Sequence, residues 1–392
     1  MTALLLYGNL AIGGAMLLQF SVTNYRSVRE TATLSMKASA DTSMRSSVFS
    51  PDGKKNLLPV MTIYGANASG KTNVLRSLLL MREMVCGEYA SPLKGEKLRY
   101  EPFSFSSESA PTSFDILYYH DGIRYSYGFT YDSERIISEY LYHWPNGREA
   151  LVFSREGDSY RFQEDIQEQK TLAGRTPYNR LYLTVSNEWN SRETEKAFLW
   201  FRTKLRCEDG EETTLASIKK GNGDKDSVLR EMATADLGIV DMNYENGTLY
   251  TTHRVGEHCY SLPFDMESAG TRKYFSHLGV WLEALQNGET ILVDELCSSL
   301  HPLMTRHLIN MFQSPDVNRT HAQLIFTTHD VGLLDLRLLR RDEIWFTEKD
   351  ENTMETRLFA LTDFSPRRGE NIEKGYLLGR FGAVPFINDN GV

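Results

Sequence analysis

The fold is decided by the stretch Gly65-Ala66-Asn67-Ala68-Ser69-Gly70-Lys71-Thr72, which has the pattern G-x-x-x-x-G-K-T of a phosphate-binding loop. The apolar run at 60–64 before it predicts a buried strand, and the run at 73–80 after it has the spacing of a helix. A phosphate-binding loop requires this order of strand, glycine-rich loop and helix. We therefore favour a nucleotide site over the alternative of a chance glycine-rich turn.

Each part of this loop has a predicted role in binding ATP and Mg²⁺. The glycines let backbone N–H groups turn inward around phosphate oxygens, and the N-terminus of the following helix adds a partial positive charge. The Lys71 ammonium would reach the terminal phosphates, and the Thr72 hydroxyl would hold Mg²⁺. The other predicted nucleotide-binding residues of the loop are Gly65, Asn67, Ala68, Ser69 and Gly70.

Two further apolar runs end in polar side chains that suit catalysis. Asp294 and Glu295 follow the first run; Asp294 can hold Mg²⁺ through its water shell, and Glu295 can orient or deprotonate the attacking water. His329 follows the second run and can contact the γ-phosphate or a polarised water. Either run alone would more often be structural. Their order after the phosphate-binding loop favours a catalytic role for Glu295 and His329.

Five motifs in this order resemble the ABC-type ATPase heads of the SMC, Rad50, RecF and OLD group. They are Asn24-Tyr25-Arg26-Ser27, the phosphate-binding loop, Glu267-Ser268-Ala269-Gly270-Thr271-Arg272, Asp294-Glu295 and Thr328-His329. The resemblance implies that Ser268 and Gly270 belong to a degenerate signature motif and act in trans, on nucleotide bound by the opposite subunit. It also implies that Arg26 and Ser27 lie near the nucleotide, and that the protein forms a head-to-head dimer or a higher oligomer built from such pairs. The residues alone also allow Ser268 as a helix N-cap and Arg26-Ser27 as a strand-end turn.

From Met16 almost to its end, the chain is similar to the AAA15-type ATPases of bacterial phage-defence operons, a group with RloA- and AbiL-type proteins and the ATPase subunit of PARIS. The motifs at 235–239, 343–350 and 376–385 carry this similarity. It implies a sensor or scaffold that controls a separate toxin or TOPRIM-type nuclease and responds to a phage-encoded trigger. ATP hydrolysis would then be slow and coupled to assembly.

Other functions fit parts of the sequence less well. A RecF-like DNA-binding ATPase of DNA repair is the main alternative. A protein that holds ATP without hydrolysing it is disfavoured by the pair Asp294-Glu295. An intrinsic nuclease is disfavoured because the short stretch after Asp330 contains no strand-end D-x-D pattern. Two departures from the ABC pattern remain, since His301 stands near the usual aspartate of the loop after the Asp-Glu strand, and no glutamine matches the usual Q-loop.

The fold class that follows is α/β, namely an ABC-type ATPase head (a P-loop NTPase) with an antiparallel β-subdomain and a compact, mainly helical insertion. Residues 16–163 form the N-terminal half with the phosphate-binding loop and a β-meander, whose hairpins are indicated by Asp121-Gly122 and two similar pairs. Residues 164–238 form the insertion, in which the polar stretch 208–226 predicts a loop. Residues 239–392 form the C-terminal half.

Tyrosine is frequent in the predicted meander. Such rings can form a platform on which nucleobases stack, but ordinary cross-strand packing is the favoured interpretation. The residues concerned are Tyr118, Tyr119, Tyr125, Tyr127 and Tyr131.

Composition indicates a globular cytoplasmic protein. The 392 residues include 43 basic and 52 acidic ones, and the net charge of −9 gives no overall positive field for nucleic acid, so direct DNA binding is left open. The four cysteines form neither a C-x-x-C pair nor a metal site with histidine, which favours reduced thiols. Residues 1–15 lack the basic start of a secretory signal and are too short to span a bilayer, so we predict a poorly ordered extension and no membrane association.

Overall fold

The computed structural model describes residues 14–51, 53, 55–87, 93–106, 109–207, 211–220, 222–234, 238–296, 300–367 and 369–384. The predicted extension at 1–15 lies outside the described residues except for Gly14 and Ala15.

The described chain contains sixteen strands and nine α-helices. The strands are β1 (Met16–Thr23), β2 (Ala32–Ser35), β3 (Val60–Tyr64), β4 (Thr112–His120), β5 (Ile123–Tyr131), β6 (Ile136–Trp144), β7 (Ala150–Glu156), β8 (Ser159–Phe162), β9 (Leu205–Cys207), β10 (Ile239–Glu245), β11 (Thr248–Val255), β12 (His258–Pro263), β13 (Thr290–Val293), β14 (Gln323–Thr327), β15 (Ile344–Lys349) and β16 (Thr356–Ala360). The helices are α1 (Lys71–Cys86), α2 (Ile166–Arg175), α3 (Tyr182–Glu188), α4 (Arg192–Thr203), α5 (Glu211–Lys220), α6 (Asn222–Thr234), α7 (Ala269–Asn287), α8 (Pro302–Gln313) and α9 (Ile372–Leu377).

The strand that leads into the phosphate-binding loop lies inside a six-stranded core sheet with the order β16-β15-β3-β14-β13-β9. All of these strands run parallel to their neighbours except β16, which is antiparallel at one edge. Every residue of β3, β13 and β14 is buried, as parallel strands covered on both faces require. Because parallel strands end at the same edge of a sheet, the residues that follow them come together there.

Alternate side chains of β3 enter two different hydrophobic clusters. Met61 and Ile63 pack in the cluster that contains the apolar face of α1, whereas Val60 and Tyr64 pack in the cluster that contains the apolar faces of α7 and α8. The alternation follows from the two-residue period of a strand. The core sheet therefore has helices on both faces, and the phosphate-binding loop emerges between them.

A second, antiparallel sheet has seven strands in the order β2-β1-β4-β5-β6-β7-β8. The predicted hairpin turn at Asp121-Gly122 joins β4 to β5, and both residues have positive φ angles, of 50° and 74°, as a type I′ turn requires. The predicted turns at 146–147 and 157–158 also join successive strands. The predicted α/β class is thus confirmed: a parallel core sheet that carries the phosphate-binding loop, with an antiparallel β-subdomain.

The five tyrosines between residues 118 and 131 of this antiparallel sheet are buried. Tyr118, Tyr125, Tyr127 and Tyr131 are no more than 3% exposed. The Tyr118 ring stacks on that of Trp200 in α4, with the ring centroids 4.4 Å apart. A platform for nucleobases needs exposed rings, so the favoured interpretation as ordinary packing agrees with the structure.

Residues 164–238 supply helices and also one strand of the core sheet. Helices α3 and α4 pack on α1, where Thr184 Oγ1 donates a 2.8 Å hydrogen bond to Val85 O and Arg82 Nε donates one of 3.1 Å to Phe201 O. The strand β9 then pairs in parallel with β13 and forms an edge of the core sheet. The proposed domain boundaries at 163/164 and 238/239 stay predictions.

The prediction of a loop at 208–226 is wrong, because α5 occupies most of this stretch and α6 begins at Asn222. Thr214 of α5 donates a 2.8 Å hydrogen bond to Phe275 O and accepts one of 2.8 Å from Gly279 N. A Cβ on Gly279 would overlap the backbone of Thr214. Close packing against α7 therefore stabilises a helix whose polar sequence favours it only weakly.

Strands β10, β11 and β12 form a separate antiparallel sheet that precedes α7. The chain enters α7 at Ser268, whose hydroxyl accepts a 3.1 Å hydrogen bond from Thr271 N, so the predicted N-cap is confirmed. Within the described part of the chain, every helix is too short or too polar to cross a membrane.

Candidate nucleotide-binding site

The phosphate-binding loop lines a cavity of about 290 Å³ where the parallel core strands end. Ligands of α/β folds bind in crevices at this edge of the sheet. The cavity brings together residues from five separate parts of the chain. The lining residues are Ser27, Asn67, Ala68, Gly70, Lys71, Thr72, Asn73, Glu295, His329 and Lys349.

The loop is held by close contacts with β15 and β16. Ser69 Oγ lies 2.7 Å from Thr347 Oγ1, and Thr356 Oγ1 donates a 2.8 Å hydrogen bond to Ser69 O. Gly70 has a φ of 105°, and a Cβ there would overlap the Thr356 side chain. A Cβ on Gly65 would overlap Thr347. The two glycines of the motif are therefore required by close approach of the neighbouring strands as well as by backbone conformation.

Lys71 is buried and hydrogen-bonded to its own loop. Its Nζ donates to Gly65 O at 2.8 Å and to Ala66 O at 2.9 Å. Burial lowers the pKa of Lys71 to about 8, and the carboxylates of Glu295 and Asp294 only partly oppose this shift. Phosphate oxygens would replace the two carbonyl acceptors with charge-assisted partners, which bind an ammonium more strongly.

Thr72, Asp294 and Thr327 form a chain of hydrogen bonds at one side of the cavity. Thr72 Oγ1 donates a 3.2 Å hydrogen bond to Asp294 Oδ1, and Thr327 Oγ1 donates one of 2.6 Å to the same oxygen. The three residues come from the first turn of α1, the end of β13 and the end of β14. Three distant parts of the sequence thus place two oxygens that can bind a metal ion, those of Thr72 and Asp294, side by side.

These two oxygens fit the predicted Mg²⁺ site. A Mg²⁺ ion in a nucleotide site takes one or two protein oxygens and completes its octahedron with phosphate oxygens and water. Among the residues that the structure describes, His, Cys, Asp and Glu side chains form no group of three or more that could hold a metal. The pair Thr72 and Asp294 is therefore suited to a Mg²⁺ ion that binds together with a nucleotide.

Glu295 and His329 lie opposite each other at the open side of the cavity. His329 Nε2 is 4.0 Å from Glu295 Oε1, and the side chains are 42% and 59% exposed. Glu295 has a left-handed φ of 55°, and its backbone N donates a 2.8 Å hydrogen bond to Thr327 Oγ1. Burial and the Lys71 ammonium lower the pKa of His329, which favours the neutral imidazole. The pair can orient water and contact a terminal phosphate.

Of the predicted pair Arg26 and Ser27, only Ser27 lines the cavity. Ser27 Oγ accepts a 2.8 Å hydrogen bond from Asn73 Nδ2 and lies 2.8 Å from Thr356 Oγ1. Arg26 has a φ of 50°, forms an ion pair with Glu101 and donates a 3.5 Å hydrogen bond to Asn73 Oδ1. Arg26 therefore reaches the cavity only through Asn73.

Ser268 and Gly270, predicted to act in trans, lie at the start of α7 and do not line the cavity of their own chain. The start of α7 is fixed from β11, because Glu267 Oε1 accepts a 2.5 Å hydrogen bond from Thr251 Oγ1 and lies 2.6 Å from His253 Nε2. The exposed Ser268 is thus presented on a fixed support. Its role on a second subunit stays a prediction.

Neither His301 nor Arg380, which belongs to the motif at 376–385, lines the cavity. His301 caps α8, where its Nδ1 accepts a 3.3 Å hydrogen bond from Leu303 N. Arg380 forms a 2.8 Å ion pair with Glu370 at the surface. Parts of the family-like motifs, namely 235–237 and 385, lie outside the described residues.

Sequence reasoning missed three residues of the site, Asn73, Thr327 and Lys349. Asn73 and Thr327 connect predicted site residues to one another, and Lys349 lines the cavity from β15. A signal existed for Lys349, because it follows an apolar run in the same way as Asp294 and His329 do. Thr327 also follows an apolar run, but the partners of Thr327 and of Asn73 are set by the tertiary fold.

Comparison with known proteins places the chain in a family. The family described as "AAA domain, putative AbiEii toxin, Type IV TA system" matches residues 60–335. No curated protein matches the chain. Among solved structures, the SMC head domain from Thermotoga maritima has 13% identity and a TM-score of 0.43, with 88% of this chain and 98% of that chain covered.

A second solved structure is the Smc head domain with an extended coiled coil bound to the C-terminal domain of ScpA, derived from Pyrococcus furiosus. It also has 13% identity and a TM-score of 0.43, with 94% of this chain and 99% of that chain covered. The family match spans well over half of the chain, from the strand before the phosphate-binding loop to beyond His329. The chain therefore belongs to the AAA domain family described as putative AbiEii toxin of type IV TA systems, and the ATPase class expected from its motifs is confirmed at that level.

Proposed function

We propose that the protein binds ATP with Mg²⁺ and hydrolyses it to ADP and phosphate. The observation that carries this proposal is the convergence of Lys71, the linked pair Thr72 and Asp294, and Glu295 on one cavity. Phosphoryl transfer depends mainly on positioning and on electrostatic stabilisation of the phosphates. Bound Mg²⁺ would supply additional positive charge to the phosphate oxygens.

The residues of the chain then have distinct tasks. The Lys71 ammonium and the backbone N–H groups of the loop bind the phosphates, and Thr72 with Asp294 holds the metal ion. Glu295 orients water and accepts its proton, and the neutral His329 contacts the terminal phosphate. Thr327 fixes Asp294 and the backbone of Glu295 in one arrangement, because its hydroxyl bonds to both.

The site is suited to completion by a second copy of the chain. Glu295 and His329 are about half exposed, so water reaches the reacting groups freely in a single copy. Exclusion of water strengthens the electrostatic interactions on which catalysis depends. Ser268 and Gly270 lie outside the cavity of their own chain and are presented at a helix N-terminus, which favours anions. We infer a head-to-head dimer around two nucleotides, or a larger assembly of such pairs, in which slow hydrolysis is coupled to assembly.

In the cell, this ATPase would act as a cytoplasmic sensor or scaffold of a phage-defence system that controls a separate toxin or TOPRIM-type nuclease. The family description, which refers to a toxin–antitoxin system, supports a defence role over DNA repair. The net charge of −9 gives no overall positive field that would attract DNA in a RecF-like role.

ATP hydrolysis is tested with the substitution Glu295→Gln, which removes the proton acceptor and keeps the shape of the side chain. We expect the rate of phosphate release to fall at least ~100-fold while ATP binding persists. Glu373→Gln at an exposed position of α9 is the matched control and should hydrolyse ATP at the wild-type rate. A wild-type rate for Glu295→Gln would disprove the assignment.

The cellular role is tested by expressing the chain alone, its neighbouring gene alone, and both together, with and without phage infection. We expect growth arrest only when both are expressed and phage is present. Growth arrest by the chain alone would mean that this protein is itself the toxin. Unchanged phage growth in all strains, with recovery of DNA in a pull-down of the chain, would favour the repair role.

A further inference from the structure

Lys349 is a second lysine in the nucleotide cavity, and neither the phosphate-loop motif nor the predicted catalytic residues account for it. Its side chain lines the cavity together with Lys71. Lys71 is hydrogen-bonded to two loop carbonyls, whereas the Lys349 ammonium has no hydrogen-bond or ion-pair partner within the part of the chain that the structure describes. A cation that faces a pocket without a carboxylate partner is available to an anionic ligand.

The position of Lys349 is fixed by the core sheet. It ends β15, which pairs in parallel with the strand that carries the phosphate-binding loop. Thr347, two residues earlier and therefore on the same face of β15, contacts Ser69 of the loop at 2.7 Å. Directly across from Lys349 is Thr356 of β16, whose hydroxyl donates to Ser69 O. The ammonium thus extends from the two strands that support the loop.

The sheet order also determines which part of a nucleotide Lys349 can meet. Asp294, Glu295 and His329 follow β13 and β14, on one side of β3, whereas Lys349 is the last residue of β15, on the other side. The first side carries the residues proposed to bind Mg²⁺ and to orient the attacking water. The γ-phosphate would therefore lie on that side. The second side also contains Ser27 and Asn73. It therefore faces the end of the phosphate chain that is nearer to the nucleoside.

We propose that Lys349 is a phosphate-binding residue that contacts the α- and β-phosphates of the bound nucleotide from the β15 side. The proposal rests on the proposed ATP-binding function of the same cavity. It divides the positive charge of the site, with Lys71 at the β- and γ-phosphates and Lys349 at the α- and β-phosphates. A contact of this kind binds ATP and ADP alike, because both contain the α- and β-phosphates.

The alternative is a solvated surface lysine that happens to border the cavity. Lysine chains are flexible and strongly hydrated, so a lysine of that kind contributes little to binding. A lost charge-assisted hydrogen bond to phosphate typically weakens binding about 10-fold to 100-fold. The two possibilities therefore differ by an effect that calorimetry resolves readily.

The experiment measures the dissociation constants of ATP and ADP, each with Mg²⁺, for the full-length wild type, Lys349→Met and Lys349→Arg. Lys170→Met, at an exposed position of α2, is the matched control. We expect Lys349→Met to bind both nucleotides about 10-fold to 100-fold more weakly and by similar factors. Lys349→Arg should recover most of the affinity because it keeps the charge, and Lys170→Met should bind as the wild type does.

Two outcomes would overturn the proposal. Unchanged affinity of Lys349→Met for both nucleotides would identify a solvated lysine, and loss of affinity for ATP alone would assign the contact to the γ-phosphate. The melting temperature of each variant without nucleotide shows that it is folded, and the shift on adding nucleotide gives a second measure of binding. Absence of ATP binding by the wild type would instead reject the proposed function, which keeps the two failures distinct.

Discussion

Thr327 donates a 2.6 Å hydrogen bond to Asp294, and through this contact the end of β14 sets the position of a carboxylate that follows β13. The same hydroxyl accepts a 2.8 Å hydrogen bond from the backbone N of Glu295. Thr327 is fully buried, whereas Asp294 and Glu295 are exposed. One hydroxyl therefore holds the predicted metal ligand and the predicted proton acceptor in a fixed relation.

Thr327→Val removes this hydroxyl at nearly constant volume, and we expect ATP hydrolysis to fall at least ~10-fold. The backbone N of Glu295 would lose its hydrogen-bond acceptor, so the Glu295 backbone would be held less firmly. The freed Asp294 would bind Mg²⁺ less well, so the Mg²⁺ concentration for half-maximal activity should rise. Steady-state rates across a Mg²⁺ titration measure both effects.

Thr327→Ser keeps the hydroxyl and serves as the control for this substitution. It should retain the wild-type requirement for Mg²⁺, even if loss of the methyl group lowers the melting temperature. A Thr327→Val protein with wild-type Mg²⁺ dependence would show that the Asp294 position does not depend on Thr327.

The buried Lys71 predicts a pH dependence of nucleotide binding. Burial lowers its pKa from an ordinary value of 10.5 to about 8, so the free protein loses the Lys71 charge above pH 8. Phosphate groups are already ionised in this range, and a bound nucleotide stabilises the ammonium form. We expect the affinity for ATP to fall by up to about tenfold per pH unit above pH 8, with uptake of a proton on binding.

Calorimetric titrations at pH 9, in two buffers that differ in ionisation enthalpy, measure the proton uptake directly. Lys71→Arg is the control, because a guanidinium stays charged throughout this range. The variant should bind ATP more weakly than the wild type, but its affinity should not change between pH 7.5 and 9.5. Constant affinity of the wild type over the same interval would contradict a pKa near 8.

The residues of the site differ in how far the sequence could reveal them. Asp294 and His329 follow apolar runs, and Lys71 belongs to a loop motif that follows one. Strand-end residues of a parallel sheet meet at one edge, so a linear pattern is enough to predict that the three share a site. Thr356 lacks such a pattern, and the pattern that Thr327 shares with His329 does not indicate its partners. Their roles depend on which strands are neighbours, and the sheet order β16-β15-β3-β14 is set by packing rather than by any local signal.

The elements of the fold also differ in whether local sequence or tertiary packing determines them. The hairpin at Asp121-Gly122 and the helix cap at Ser268 follow from backbone chemistry and are confirmed. The three-residue strand β9 is too short to carry a recognisable period. Helix α5 was mistaken for a loop because its stability comes from the contact between Thr214 and α7.

Glu343 is expected to make the protein less stable as the pH rises. It is fully buried; its Oε2 accepts hydrogen bonds from Arg340 N and Gln313 Nε2, and its Oε1 has no partner within the described chain. Burial raises its pKa to about 8, so the folded state keeps a proton that the unfolded state releases above 4.5. The stability that this group contributes is present below pH 4.5 and is lost as the pH rises through 8.

Glu343→Gln replaces the protonated acid by a neutral amide of similar shape. Relative to the wild type, the variant should gain stability with rising pH by at most about 1.4 kcal/mol per pH unit between pH 4.5 and 8. Melting temperatures at pH 6 and pH 8 measure the difference, with the exposed Glu373→Gln as the control. A difference between variant and wild type that does not change with pH would show that Glu343 titrates normally.

A site shared between two copies predicts that two inactive variants restore each other. Lys71→Ala disables the cavity of its own chain, whereas Gly270→Asp places a negative charge at the start of α7, outside that cavity. In a mixed dimer one of the two sites carries both defects and the other carries none. Equal amounts of the two variants should therefore recover about a quarter of the wild-type ATPase rate, because about half of the dimers are mixed.

The mixture distinguishes a shared site from one that each chain completes by itself. If each chain were sufficient, every site in the mixture would contain one defect and no activity would return. Lys71→Ala mixed with Glu295→Gln is the matched control, because both residues line the same cavity and every site in that mixture stays defective. Recovery with Gly270→Asp and none with Glu295→Gln would locate the missing part of the site on the second subunit, at the start of α7.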